Sequence, residues 1–462
     1  MIEMNLLKLN ELVGDPDHRP PEALFRGVVI DSRKDCADRL FIAIRGDRLD
    51  GHDYVHSAFK NGAVAALVER EIDCEIPQIR VTECRLAMAQ LANHWRHACR
   101  ARVIALTGSN GKTTVKEMLH RILSKQAPTH ATQGNFNNDI GLPLTLLELS
   151  VDDRYAIVEL GANHAGEIAS LAQIADPDIV YVNNAATSHL AGFGSLQGVT
   201  EAKGELYAYC QSHHHAIFNF DESASQYWTS ICAAEHKISC ALDGDADIRG
   251  SWAATLEGLS LIACYHDKKH ESKLGVLGEH NARNALAAVT IAVVAGVEFQ
   301  IAMKNLSGFS GVKGRLQMLQ GPQHSRVIDD TYNANPDSLE AGIKVLCAQK
   351  GHAWLALGDM GELGADTEIL HRQAAQTAKK FGVEKLFGVG PMSCIASREF
   401  GDSGYCFEQI SDMADSILRQ IHRGVVLLVK GSRSAAMENL VGALVNHKIA
   451  NEEKGEGINH AV

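Results

Sequence analysis

Positive charge is scarce in this sequence. There are 44 Lys and Arg against 56 Asp and Glu, a formal net charge of -12 at pH 7. A nucleic-acid partner asks for a basic face, so that class of function is set aside. A nucleotide ligand is not excluded, because a phosphate needs only a local pocket of N–H groups and one or two cations. Long apolar runs are also missing: no window reaches the roughly 18 to 20 residues that a membrane span needs. Residues 1–14 alternate polar and apolar types and include Glu3, Lys8 and Glu11, unlike the basic start and apolar run of a signal peptide. The expectation is a cytoplasmic chain with no stable membrane insertion. The 11 cysteines are scattered, and Cys36, Cys84, Cys99, Cys210, Cys232, Cys240 and Cys264 show no CxxC spacing. A zinc site is therefore not expected, and the cysteines read as reduced, mostly buried small side chains. Internal repeats and low-complexity tracts are absent.

What remains is an ordinary globular composition, 45% hydrophobic and 22% charged, spread over 462 residues. That length exceeds one hydrophobic core and suggests three domains of roughly 150 residues. From residue 28 to 81, short apolar runs such as Leu40-Phe41-Ile42-Ala43-Ile44 alternate with turns, and helical periodicity follows over 85–97. This reads as a small α/β domain ending near Cys99. At Arg102 the pattern changes to Val103-Ile104-Ala105-Leu106, a buried-strand run, then a Gly-rich turn, then an amphipathic helix over 113–125. Further strand runs at 155–158 and 179–182 alternate with helical segments, which implies a mainly parallel sheet. A long apolar helix is expected over 281–295. Gly308, Gly311 and Gly314 mark a hinge, after which strand–helix alternation restarts with runs at 327–328, 354–357, 386–389 and 425–429. The fold class is therefore α/β in three domains, divided at 1–99, 100–312 and 313–462, the last Rossmann-like.

The turn Thr107-Gly108-Ser109-Asn110-Gly111-Lys112-Thr113-Thr114 follows a strand and opens a helix, the context of a phosphate-binding loop. Its glycines let backbone N–H groups turn inward, the helix N-terminus adds partial positive charge, Lys112 can reach the outer phosphates, and the Thr113 hydroxyl suits Mg²⁺. The usual longer spacing would put glycine at 106, where Leu106 stands. Glu159 ends a strand run beside this loop and is placed either to hold Mg²⁺ or to face solvent. His189 follows another strand, as a second metal ligand or a hydrogen-bonded loop residue. Lys203, taken alone, reads as an exposed helical lysine. Asn281 opens the apolar helix, where its amide suits an adenine edge or a helix cap. Arg315 follows the hinge. Asp330, in a polar turn containing Asn333 and Asn335, suits ribose hydroxyls, and Lys430-Gly431-Ser432-Arg433-Ser434 forms another polar strand end. Several polar strand ends in one α/β unit suggest a binding face.

In this order, from the Thr-Gly-Ser-Asn-Gly-Lys-Thr-Thr loop through Glu159, His189, Lys203, His280-Asn281, Gly314-Arg315 and the Asp330 turn, the motifs resemble the Mur ligase superfamily of ATP-dependent amide-forming enzymes. Asp31-Ser32-Arg33 and Gln133-Gly134-Asn135-Phe136-Asn137-Asn138-Asp139 agree with that resemblance. It implies a carboxylate activated by ATP as an acyl phosphate and joined to an amine, with UDP-N-acetylmuramoyl-tripeptide and D-alanyl-D-alanine as partners, in cell-wall precursor synthesis. It implies ATP and two Mg²⁺ ions, with Glu159 on the first and His189 on a second, and a carbamate on Lys203. Several sister enzymes carry an Asp-His pair where this chain has Ser188-His189. Asn281, Arg315 and Asp330 match nucleotide-contacting positions. Ser32 would meet the uridine end of the substrate, Asn135 and Asn138 fall in a substrate-facing motif, and Asn333, Asn335 and Arg433 are candidates for holding the amine substrate. The expected state is a monomer. A nucleotide-gated binding protein and a sister ligase using another amine are the competing readings.

Overall fold

A computed structural model describes residues 1–17, 19–186, 190–255 and 258–446. His189 lies outside them. Near the N-terminus, Glu3–Asn5 pairs antiparallel with Leu24–Arg26, and four parallel strands follow, Val28–Val29, Leu40–Ile42, Ala65–Val68 and Gln78–Arg80. The helix Cys84–Cys99 comes next. It buries Met88, Leu91 and Ala92 in a cluster that also holds Leu6, Phe25, Leu67, Leu146, Leu171 and Trp228. The core is therefore continuous across residue 99. Polar contacts cross there too: Trp95 Nε1 donates to the Leu149 carbonyl at 3.0 Å, and Arg96 meets Asp178 at 3.0 Å.

Among the described residues the central sheet has nine strands. Thr129–Ala131, Tyr155–Glu159, Arg102–Thr107, Ile179–Val182, His215–Asn219, His236–Ala241 and Ile248–Thr255 run parallel in that spatial order. The antiparallel strands Gly258–Tyr265 and Lys268–Leu274 extend it. Arg102–Thr107 sits inside the sheet, so its Val, Ile and Leu side chains are buried on both faces, as in other parallel sheets. The helix Lys112–Ser124 presents Val115, Met118, Leu119, Ile122 and Leu123, an i, i+3, i+4, i+7, i+8 stripe, to that sheet and to the helix Glu279–Val294.

The last sheet orders its strands Gln317–Gln320, Arg326–Asp330, Val425–Lys430, His352–Gly358, Lys385–Val389 and Gly404–Phe407, all parallel except the first. The final strand inserts between two formed much earlier in the chain. That insertion brings Asp330, Gly358 and Lys430 to neighbouring strand ends.

One expectation fails here. Cys394 and Cys406 form a disulfide with Cα atoms 4.8 Å apart; the other nine cysteines are free thiols. The helix Pro391–Phe400 and the strand Gly404–Phe407 fold back on each other, a tertiary contact that the 12-residue spacing does not advertise. No helix among the described residues is long and apolar enough to cross a membrane.

Candidate active site

The phosphate-loop turn is fixed by packing as well as by sequence. Gly111 has φ +80°, and a Cβ there would lie 2.4 Å from Asn183 Nδ2 and 2.7 Å from Asn284 Oδ1. No L side chain fits. The Asn110 amide donates to Asn184 Oδ1 at 2.8 Å, and its carbonyl accepts from Asn183 Nδ2 at 2.8 Å. Ser109 Oγ bonds the backbone at Ala186, and Thr107 Oγ1 donates to the Leu160 carbonyl at 2.8 Å. Lys112 curls over the loop, with Nζ bonding the Gly108 and Ser109 carbonyls. Burial lowers its pKa; Glu159 opposes that shift and Arg315 adds to it.

Glu159 is buried at the end of its strand. Its Oε2 accepts from Thr113 Oγ1 at 2.9 Å, and its Oε1 accepts from Asn137 Nδ2 at 3.0 Å. Its own amide is held by Thr132 Oγ1 at 3.0 Å. Among the described residues no three His, Cys, Asp or Glu side chains converge as a ready-made metal site. One carboxylate with one hydroxyl beside a phosphate loop is the sparse oxygen set that suits Mg²⁺, which keeps waters and takes phosphate oxygens as further ligands.

Lys203 is not exposed, contrary to its reading from sequence alone. It is 1% exposed on the helix Leu196–Ala208. Its Nζ lies 3.5 Å from the Ala162 carbonyl and 5.3 Å from the centre of the Phe193 ring. Burial, reinforced by the positive charge of Lys112 and opposed by Glu167 and Glu205, lowers its pKa to about 7.

The C-terminal sheet faces the loop across the hinge. Arg315 Nη2 donates to Thr113 Oγ1 at 3.1 Å, and its guanidinium carbon stacks 4.0 Å from the centre of the Tyr332 ring. Its Nε is buried with no partner among the described residues. Asp330 accepts from buried Lys430 Nζ at 2.5 Å and from the Leu316 amide at 3.2 Å. Lys430 also donates to the Asn333 carbonyl at 2.9 Å. The Met360 amide donates to neutral, buried His371, which pins the adjoining strand end.

Between the two sheets lies a cavity of about 400 Å³. Of the residues singled out in the sequence, Ser109 to Thr114, Glu159, Asn281, Arg315, Asp330, Asn333 and Asn335 line it. Thr107 and Gly108, the first two residues of the loop, are not on the cavity wall. Ser32, Asn135, Asn138, Lys203 and Arg433 are not on its wall. Asn138 Oδ1 accepts from the Gly141 amide at 2.9 Å, and Arg433 pairs with Glu438 at 2.9 Å. Asn281 is buried, giving Nδ2 to the Leu277 carbonyl at 2.8 Å and taking a bond from Asn284 at 3.2 Å. Asn284 closes the motif His280-Asn281-x-x-Asn, but sequence reasoning gave it no role and passed over Asn183; Asn183 Nδ2 donates to Asn284 Oδ1 at 3.0 Å beside Gly111.

Family models match three consecutive stretches: the Mur ligase family, catalytic domain at 24–104, the Mur ligase middle domain at 106–292, and the Mur ligase, glutamate ligase domain at 314–433. The chain belongs to the Mur ligase family. This Mur ligase is 37% identical to the UDP-N-acetylmuramoyl-tripeptide–D-alanyl-D-alanine ligase of Escherichia coli (strain K12) over 447 residues, 96% of this chain and 99% of that protein. It is 37% identical to the Haemophilus influenzae protein of the same name over 90% of this chain and 92% of that one. A crystal structure of MurF from Acinetobacter baumannii superposes with a TM-score of 0.89 at 34% identity, covering 96% of this Mur ligase and 99% of the other chain.

Proposed function

We propose that this Mur ligase joins D-alanyl-D-alanine to UDP-N-acetylmuramoyl-tripeptide with ATP, releasing ADP and phosphate, as a cytoplasmic monomer. The observation that carries the reading is one cavity walled by a phosphate loop on one sheet and by cationic and acidic strand ends on another. The relatives named above carry that activity in their names. In this reading residues 1–99, with Ser32, hold the UDP end, residues 100–312 hold ATP, and residues 313–462 complete the site. Asn281, Arg315 and Asp330 serve the nucleotide. Asn135, Asn138, Asn333 and Arg433 are assigned to the peptide and amine side.

A carboxylate is a poor acylating agent because it has no good leaving group. Transfer of the γ-phosphoryl group to a carboxylate oxygen gives an acyl phosphate and ADP. The amine lone pair then attacks the carbonyl carbon, a tetrahedral intermediate collapses, phosphate leaves with the C–O bonding pair, and the nitrogen loses a proton. Lys112 and Arg315 offset the charge of a carboxylate meeting a triphosphate, and oriented amides of the loop add to that. Glu159 and Thr113 are the residues that hold Mg²⁺, with His189 assigned to a second ion. Bound there, the metal supplies Lewis-acid neutralisation of the phosphate oxygens. Lys203 is assigned a carbamate: a buried amine whose pKa is lowered to about 7 has a substantial neutral fraction near neutral pH, and only the neutral amine adds to CO₂. An acyl phosphate hydrolyses readily, so docking of the C-terminal unit over the loop serves to exclude water.

The test is a coupled assay with ATP, the UDP-tripeptide and D-alanyl-D-alanine, each omitted in turn. Phosphate release and a longer UDP-peptide are expected only when all three are present. Phosphate release indifferent to the tripeptide and the amine would point to a nucleotide switch. Acceptance of a different amine in place of the dipeptide would point to a sister ligase.

A further inference from the structure

Asn335 Nδ2 donates to Asn110 Oδ1 at 3.0 Å, across 225 residues of chain. Each partner is anchored within its own unit. Asn335 caps the helix Pro336–Cys347: its Oδ1 accepts from the Ser338 amide at 2.8 Å, while Ser338 Oγ accepts from the Asn335 amide at 3.0 Å. This reciprocal box fixes the side chain's orientation. Asn110 has its backbone held on the central sheet by Asn183 and Asn184, and its side chain points away from that anchorage toward the other unit. A preset donor on one body thus meets a preset acceptor at the crown of the phosphate loop. The Arg315 contact to Thr113 reaches the same loop three residues on. Both cross a connection whose Gly308, Gly311 and Gly314 have φ of +75°, +95° and +74°, backbone that glycine adopts freely.

We propose that Asn335 is a positioning residue that seats the C-terminal unit on the phosphate loop through Asn110, so that domain docking and loop geometry are coupled. The proposal rests on the nucleotide-loop reading above. It also gives Asn335 a role apart from the amine substrate, since both ends of its amide are engaged.

Asn335→Ser is the cleanest perturbation. Serine keeps a cap oxygen for the Ser338 amide but is too short to reach Asn110. Asn110→Ala removes the acceptor from the other side. Each single variant is expected to lower kcat/KM for ATP by roughly 2- to 10-fold, the range of one hydrogen bond. The double variant is expected to lose no more than either single, because both remove the same bond. Proteolysis of the 306–316 connection in the presence of a non-hydrolysable ATP analogue should be slow in the wild type and faster in all three variants. Multiplicative losses in the double variant, or wild-type protection in Asn335→Ser, would overturn the coupling. Equilibrium binding of a fluorescent ATP analogue separates the two levels. It should survive in Asn335→Ser and vanish in Lys112→Ala; survival in Lys112→Ala would bring down the phosphate-loop reading itself.

Discussion

Replacing Lys203 with Met should make the protein more stable and catalytically inert. The amine is 1% exposed, its one hydrogen bond among the described residues is a long 3.5 Å contact to Ala162, and burial lowers its pKa from 10.5 to about 7. At 1.36 kcal/mol per pH unit, that difference corresponds to up to about 5 kcal/mol of folding free energy forfeited at pH 7. The sign follows from proton counting. Between pH 7 and 10.5 the unfolded chain holds a proton on Lys203 that the folded chain has released, so stability rises with pH across that window. Below pH 7 both states are protonated and the full penalty remains. Met fills nearly the same volume without charge, so the gain should be a few kcal/mol at pH 7 and shrink by up to about 1.4 kcal/mol per pH unit above it. Urea unfolding at several pH values, in buffer purged of CO₂, measures it. Adding bicarbonate should raise the wild-type unfolding free energy by about 1.4 kcal/mol at ten times the half-saturating concentration, moving the midpoint to higher urea, and leave Lys203→Met unmoved. A Met variant less stable than wild type at pH 7 would refute the burial argument. A wild-type midpoint indifferent to bicarbonate would refute the carbamate.

Two further outcomes follow from contacts at the cavity. Gly111→Ala must hold a positive φ and displace the Asn183–Asn284 contact, costing about 2 to 4 kcal/mol together; binding of a fluorescent ATP analogue should weaken at least about 30-fold while the circular dichroism spectrum is retained. Asp330→Asn strands buried Lys430 and should lower stability by about 3 to 5 kcal/mol in urea titrations, with much of the loss recovered in the Asp330→Asn/Lys430→Met double variant.

Local chemistry made the nucleotide half of the site legible. A strand, a Gly-Lys-Thr turn and a helix of period 3.6 are contiguous, and the observed helix Lys112–Ser124 begins one residue before the expected one. The apolar helix expected over 281–295 is Glu279–Val294. Features set by tertiary neighbours were not legible. The strands Ile248–Thr255 and Lys268–Leu274 are largely exposed on one side and rich in polar residues, so they show neither the apolar run of a buried strand nor a clean alternation. The Asp330–Lys430 pair spans 100 residues and exists because the last strand inserts beside an early one. Lys203 looks solvated in sequence because Glu201 and Glu205 flank it; the burial comes from packing against the loop after Glu159, where Glu205 accepts from the Gly166 and Ala169 amides.

The uninterrupted core beneath the helix Cys84–Cys99 has a mechanical corollary. A chain cut to begin at residue 100 would strip the cover from Leu146 and Leu171 and turn a sealed surface into an adhesive one. The first two-thirds of the molecule therefore behave as one anvil, and rigid-body travel is left to the portion beyond the glycine-rich neck.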